Sequence, residues 1–307
     1  MTNDADPPAD GPDPQLPIAE SPQRVSGMRV PDSWDLLGPP EGLQGDAEDA
    51  WRQSGFELAG DWQLLRAGLR LQARLAATGY TPRARTMTMA GFASLWSRAF
   101  LGLSDTAPLV RRGAYQSALP LIRSVAEFIS AQRGLVEELD EWRRWTHEAF
   151  GRDETSRSTE QLLGHYFSGE SIVSDPQLRT IYRAASDFAR PNFGPTALLV
   201  ANEASHERYP LNFADQAFHL GWAELLFGWL LRLDAAQLHS SLHLSAQFPA
   251  SEDLRAEAVE HVREVEAHLD DERRCRLEEF EDSQRRRRHL LVEFRRQRAD
   301  APRRLLF

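Results

Sequence analysis

Residues 112–128 hold the pattern that most constrains this chain. Ala118, Leu121, Ile122, Val125 and Phe128, with Ile129 just beyond, recur at intervals of three and four, which describes one buried face of a helix. Stretches of the same period follow one another along the sequence. No strand-like alternation of any length interrupts them, and there is no internal repeat. The expected fold class is therefore all-α. Arg123 and Glu127 lie four apart beside the stripe, the spacing at which opposite charges pair along a helix. Burying either charge alone is costly, so the pair marks a pin between helices or the floor of a site.

With 307 residues, 41% of them hydrophobic, and eight Trp, the chain has enough apolar surface for one large domain. All 36 basic residues are Arg. Arg-favouring codon usage explains this, and a selected absence of lysine amines is the alternative. Either way a Walker lysine, a Schiff base and a Ser-Lys dyad are excluded. The net charge of -10 argues against nucleic-acid binding by the whole surface and leaves local patches open. A lone cysteine, Cys275, forbids an internal disulfide and a cysteine-rich zinc site, which fits a reducing compartment. The first residues lack the basic start and apolar run of a signal peptide. The most apolar stretch, Leu220 to Leu233, is shorter than a membrane span and carries Glu224, so it reads as a buried core helix. The expectation is a cytoplasmic protein with no membrane contact.

Residues 1–45 hold nine of the 18 prolines and an acidic excess, and read as a disordered tail with a possible docking point at Val30–Trp34. A helical bundle is expected over 46–245. Its first helix carries Trp51, Leu58, Trp62, Leu65, Leu69 and Leu75 and ends near Gly79. A second starts about Thr88 and exits at Ser104–Pro108, a third spans Ala107 to Gln132, and a fourth spans Leu135 to Phe150. Short helices follow near Ser158–Tyr166 and Asp175–Phe188, with a break at Pro191–Pro195. Phe213 to His239 is strongly apolar, and Gly221 and Gly228 suit close helix packing. Ser251 to Ala299 reads as one long charged helix, a coiled-coil arm or a brace, with a C-terminal tail over 300–307. Its charge is segregated: residues 251–282 are acidic in balance, and Arg285, Arg286, Arg287 and Arg288 open a basic end. That run is the candidate basic patch for an anionic partner. It also reads as a solvated helix end, or as the complement of an acidic half on a neighbouring copy.

A second constellation places Arg183, Asp187 and Arg190 at spacings of four and three on one helix end, with Tyr182 and Ser186 on an adjacent face. The order Tyr115, Ala118, Arg123, Glu127, followed by Ser186-Asp187-Phe188-Ala189-Arg190-Pro191, resembles an uncharacterised bacterial all-helical family similar to the HEPN domains of prokaryotic defence and toxin systems. The likeness covers roughly Gly91 to Leu233. It implies a HEPN-like bundle in which an Arg and a downstream His support metal-independent RNA cleavage. The matching positions here are Arg183 and residue 190, and residue 190 is Arg, which stays protonated and cannot act as a general base.

The leading expectation is accordingly a non-catalytic binding, regulatory or assembly protein. Arg123 and Glu127 set a pocket floor in this reading, and Arg183 and Arg190 contact an anion, with Asp187 a further candidate of the site. Arg123, Glu127, Asp187 and Arg183 also read as a buried network locking helices together. The alternatives are a HEPN-type ribonuclease or toxin component taking its base from His165 or His206, and a structural subunit of a larger complex. The partners to expect are a second copy or another protein, and RNA or a nucleotide. No cofactor and no metal site is implied. His239 and His243 have the spacing of a two-histidine metal site, without a third ligand or an adjacent Glu.

Overall fold

The computed structural model describes residues 34–79, 87–137, 175–201, 204–211, 217–243, 250–281, 283–284 and 287–306. Within them the helices are α1 (Gly45–Glu57), α2 (Ala59–Gly79), α3 (Met87–Arg111), α4 (Tyr115–Glu137), α5 (Pro176–Ala189), α6 (Phe193–Val200), α7 (Leu220–His243) and α8 (Glu252–Leu269). Strands β1 (Arg276–Glu281), β2 (Arg287–Phe294) and β3 (Arg303–Leu306) form an antiparallel sheet in the order β1-β2-β3.

The apolar run Leu220 to Leu233 forms the body of α7, and it is buried on every side, as a helix hydrophobic all round must be. It packs against α2, α3, α4 and α8, with Trp222, Leu226, Phe227 and Leu230 in the core. Around it, α3 and α4 form an antiparallel pair closed by Gly113, whose φ of 80° suits glycine. The expected helix exit at Ser104–Pro108 is not one. The Ser104 and Thr106 hydroxyls donate back to Leu101 O (3.1 Å) and Gly102 O (2.5 Å), while Leu103, Ala107 and Val110 are buried, so the helix runs on to Arg111. The long first helix is interrupted at Leu58, which caps α1 and is followed at once by α2. Asp175 accepts hydrogen bonds from Gln177 N and Leu178 N (2.9 and 3.0 Å), and with Pro176 it starts α5 where the sequence placed it.

Three expectations are corrected. The protein is mostly helical rather than all-α, because two strands of the sheet lie in the second half of the span assigned to a long charged helix over 250–299. Only α8 of that helix forms; it is neither an arm nor a coiled coil, and buries Leu254, Ala258, His261 and Val265 against α2 and α7. The tail over 300–307 contributes β3. The segregated charge pairs within the chain: Glu281 lies opposite Arg287 and Glu279 opposite His289 in the β1–β2 register. Arg287 and Arg288 therefore sit on a strand, and Arg285 and Arg286 lie outside the described residues. The predicted tail over 1–45 is described from Trp34 onward, where Trp34 packs edge-on against Phe100 at 4.8 Å and Asp35 pairs with Arg66 and Arg70. Residues 1–33, most of the predicted fourth helix and the predicted helix near 158–166 lie outside the described residues.

The sheet meets the bundle at the first turn of α7. Leu220 N and Gly221 N donate to Arg296 O and Arg295 O at 2.9 Å each, and Trp222 N donates to His219 Nδ1 at 3.3 Å. A bulge at Glu293 (φ 57°) bends β2, and Phe294 stacks on His219 at 4.5 Å. Gly221 admits this strand rather than a helix: a Cβ there would lie 2.8 Å from Phe294 Cδ2 and 3.1 Å from Arg295 N. Gly221→Ala should destabilise the protein by about 1–3 kcal/mol in urea denaturation.

His219 gives a second test. Burial and the neighbouring Arg296 hold its pKa down at about 3, against 6.5 for a free imidazole. The folded state then binds fewer protons than the unfolded state between those limits. The contribution of His219 to stability is therefore present above the unfolded value and falls away as pH drops through the window toward 3. His219→Asn, which retains an acceptor for Trp222 N, should flatten the pH slope of the unfolding free energy in that window.

Candidate functional site

The helix α5 carries two adjacent side-chain rows that face different neighbours. Tyr182 and Ser186 face α4, where Arg123 Nη2 donates to Glu127 Oε1 (2.9 Å) and to Tyr182 OH (3.4 Å), and Arg123 Nε donates to Ser186 Oγ (3.1 Å). The Arg123 guanidinium also lies 5.3 Å from the centre of the Tyr182 ring. Its Tyr182 hydrogen bond, with help from Glu127, holds its pKa above the ordinary arginine value. Arg123 thus ties α4 to α5 through Tyr182 and Ser186, with Glu127 pairing to it from its own helix.

The second row faces the sheet. Asp187 Oδ2 lies 3.5 Å from His289 Nε2, on β2, and Arg183 acts electrostatically on the same imidazole. Burial pushes the His289 pKa down, with Asp187 and Glu279 opposing and Arg183 reinforcing the shift. Nearby, Thr180 Oγ1 donates to Glu279 Oε1 at 2.9 Å, so α5 lies along the hairpin at two points. Arg183 is half-buried and Arg190, the C-cap residue of α5, is exposed. No hydrogen bond or ion pair among the described residues joins either arginine to Arg123 or Glu127. The described contacts put Arg123 and Glu127 against the Tyr182–Ser186 row of α5, and Asp187 against His289 on β2.

His289 was not singled out by sequence because the run before it was assigned to a helix. Its placement joins Arg183, Asp187 and Arg190 to the strand that carries Arg287 and Arg288, about 100 residues later. As a base it is poorly placed: Nε2 faces Asp187, Nδ1 is buried, and the side chain is 12% exposed. His206 is exposed and His165 lies outside the described residues.

Two further acid–histidine groups sit deeper. Asp234, fully buried, accepts from Gln72 Nε2 (2.5 Å) and lies 3.2 Å from His261 Nε2. Burial pushes the Asp234 pKa up, against the opposing effect of His261. Gly68 leaves room for the trio, since a Cβ there would lie 2.6 Å from His261 Nε2. One turn pair further along α8, His268 Nε2 lies 3.2 Å from Asp61, which also accepts from both Nη atoms of Arg274. Burial alone would raise the Asp61 pKa, but the His268 and Arg274 hydrogen bonds bring it below the usual carboxylate range. Cys275 is buried, with its thiol pushed well up by that burial. Asp61, Asp234, His261 and Cys275 are buried, His268 is half-buried, and these groups act as structural pins. Among the described residues no three His, Cys, Asp or Glu side chains are placed to hold a metal ion, and no helix is long and apolar enough to cross a membrane.

No family model matches the chain, and neither curated proteins nor solved structures yield a match. The site is therefore read from its own geometry. If Arg123 is a lock and Arg183 a free cation, Arg123→Met should cost about 1–2 kcal/mol in urea denaturation. Arg183→Ala should stay within about 0.5 kcal/mol of the parent protein.

Proposed function

We propose that this is a non-catalytic binding protein that recognises a phosphate-bearing partner, RNA in the first instance, on a surface built jointly by α5 and β2. The observation that carries this reading is the Asp187–His289 contact. It sets the helix bearing Arg183 and Arg190 against the strand bearing Arg287 and Arg288. Arg183 makes no ion pair among the described residues, and a half-buried guanidinium without a carboxylate favours an incoming anion. The core is taken as HEPN-like over residues 91–233. In that frame, arginine at position 190 converts a cleavage position into a phosphate contact. The placement of His289 supports binding over cleavage: Nε2 faces Asp187 and Nδ1 is buried, whereas a general base needs a lone pair within reach of the 2′-hydroxyl. The structural-subunit alternative relied on a bipolar C-terminal helix, and residues 276–281 and 287–294 form strands instead.

The test is fluorescence anisotropy with a single-stranded RNA pool over a range of salt. The wild-type protein should bind with a clear salt dependence. Arg183→Ala combined with Arg190→Ala should weaken binding at every salt concentration and reduce the log–log salt slope by about 1.4, at about 0.7 per lost phosphate contact on a single strand. Absence of wild-type binding, or an unchanged slope in the double variant, contradicts the proposal. Shortened RNA products would favour the ribonuclease reading instead.

A further inference from the structure

His239 and His243 stand one turn apart at the C-terminal end of α7, both exposed. Their rings are parallel to within 6°, with centroids 6.3 Å apart. We propose that this pair is a chelating site for a divalent first-row transition-metal ion of the kind that favours imidazole: copper, nickel or zinc.

Four other histidines each have a ring nitrogen against a protein partner. His219 accepts from Trp222 N, while His261, His268 and His289 lie against Asp234, Asp61 and Asp187. Neither His239 nor His243 has a hydrogen bond or ion pair among the described residues, so their lone pairs are available. Side chains four apart on a helix overhang the same patch of surface, which lets two imidazoles address one ion. The backbone beneath them is fixed. Leu238, Ser240 and Ser241 are buried, Arg133 Nε donates to Ser240 Oγ at 3.0 Å, and the two serine hydroxyls donate to Ala236 O (2.9 Å) and Gln237 O (3.0 Å). Only the exposed ring torsions need to turn for the nitrogens to converge on an ion. The nearby guanidinium of Arg133 is neutralised by Asp175, and the end of the helix dipole at this position is the negative one. Two protein ligands leave the other coordination positions to water, an open arrangement rather than a closed structural centre. Among divalent ions such a site should prefer copper over nickel and zinc.

The experiment is a calorimetric titration of the chelator-treated full-length protein with copper(II) and with zinc(II) near neutral pH. The expected result is one ion per chain, held more tightly for copper. His239→Ala and His243→Ala should each weaken binding roughly tenfold or more, since loss of a ligand costs at least as much as loss of its supporting hydrogen bonds. Because both side chains are exposed, the variants should keep the parent's circular dichroism and melting temperature. Absence of binding by the wild-type protein overturns the proposal, as does wild-type affinity in the double variant.

Discussion

The buried ion pair between Asp61 and Arg274 is the interaction on which the rest of the arrangement depends. Asp61 comes from α2 and Arg274 from the turn that leads out of α8, more than 200 residues later. Arg274 also donates to Glu224 O (3.4 Å), and the next residue's N–H, that of Cys275, donates to Glu224 Oε2 (2.9 Å). Two helices, the exit of a third and the start of β1 are thus held at one buried point. A buried charge stripped of its partner costs about 3–5 kcal/mol, so alternatives that leave Arg274 or Asp61 unpaired are strongly disfavoured. The chain turns at Asp270–Arg274 instead of continuing as helix, and the sheet follows.

Once β1 starts there, the remaining contacts follow in order. The hairpin pairs an acidic strand with a basic one, and the bulge at Glu293 aims Phe294 into the core. The carbonyls of Arg295 and Arg296 then cap α7. Arg298 reaches Glu57 Oε2 (3.0 Å) and lies 3.5 Å from Glu224 Oε1, tying the strand connection back to α1 and α7. With the sheet fixed, His289 comes to rest against Asp187, and the α5 arginines acquire a neighbouring strand. The proposed binding surface is in this sense a consequence of a structural pin some distance from it.

How much of this was legible in the sequence varies with the kind of signal. The buried helix of 118–129, the apolar core helix and the start of α5 were readable because periodicity and capping act locally. The Arg123–Glu127 pair was readable as a lock for the same reason. Residues 276–306 were misread because Arg, Glu and Leu have good intrinsic helix propensity, whereas the strand state depends on contacts with residues far earlier in the chain. Leu290-Leu291-Val292 was the available local signal, a short apolar run amid charge. Asp61, Asp234, His261 and His268 gave less. Each is an ordinary helix residue until its partner is known, although His261, Val265 and His268 do share the spacing of one face. Charge segregation was seen correctly and assigned to the wrong partner, since the antiparallel complement of the acidic half is the basic half of the same chain.

The Asp61–Arg274 pin holds the sheet against the bundle. Hydrogen exchange on Arg274→Met, compared residue by residue with the parent protein, addresses it directly. Protection should fall in β1, β2 and the first turn of α7, where Leu220 and Gly221 depend on the sheet for their acceptors, while α3 and α4 keep theirs. Unchanged protection throughout the sheet, or an equal loss across every helix, would contradict it.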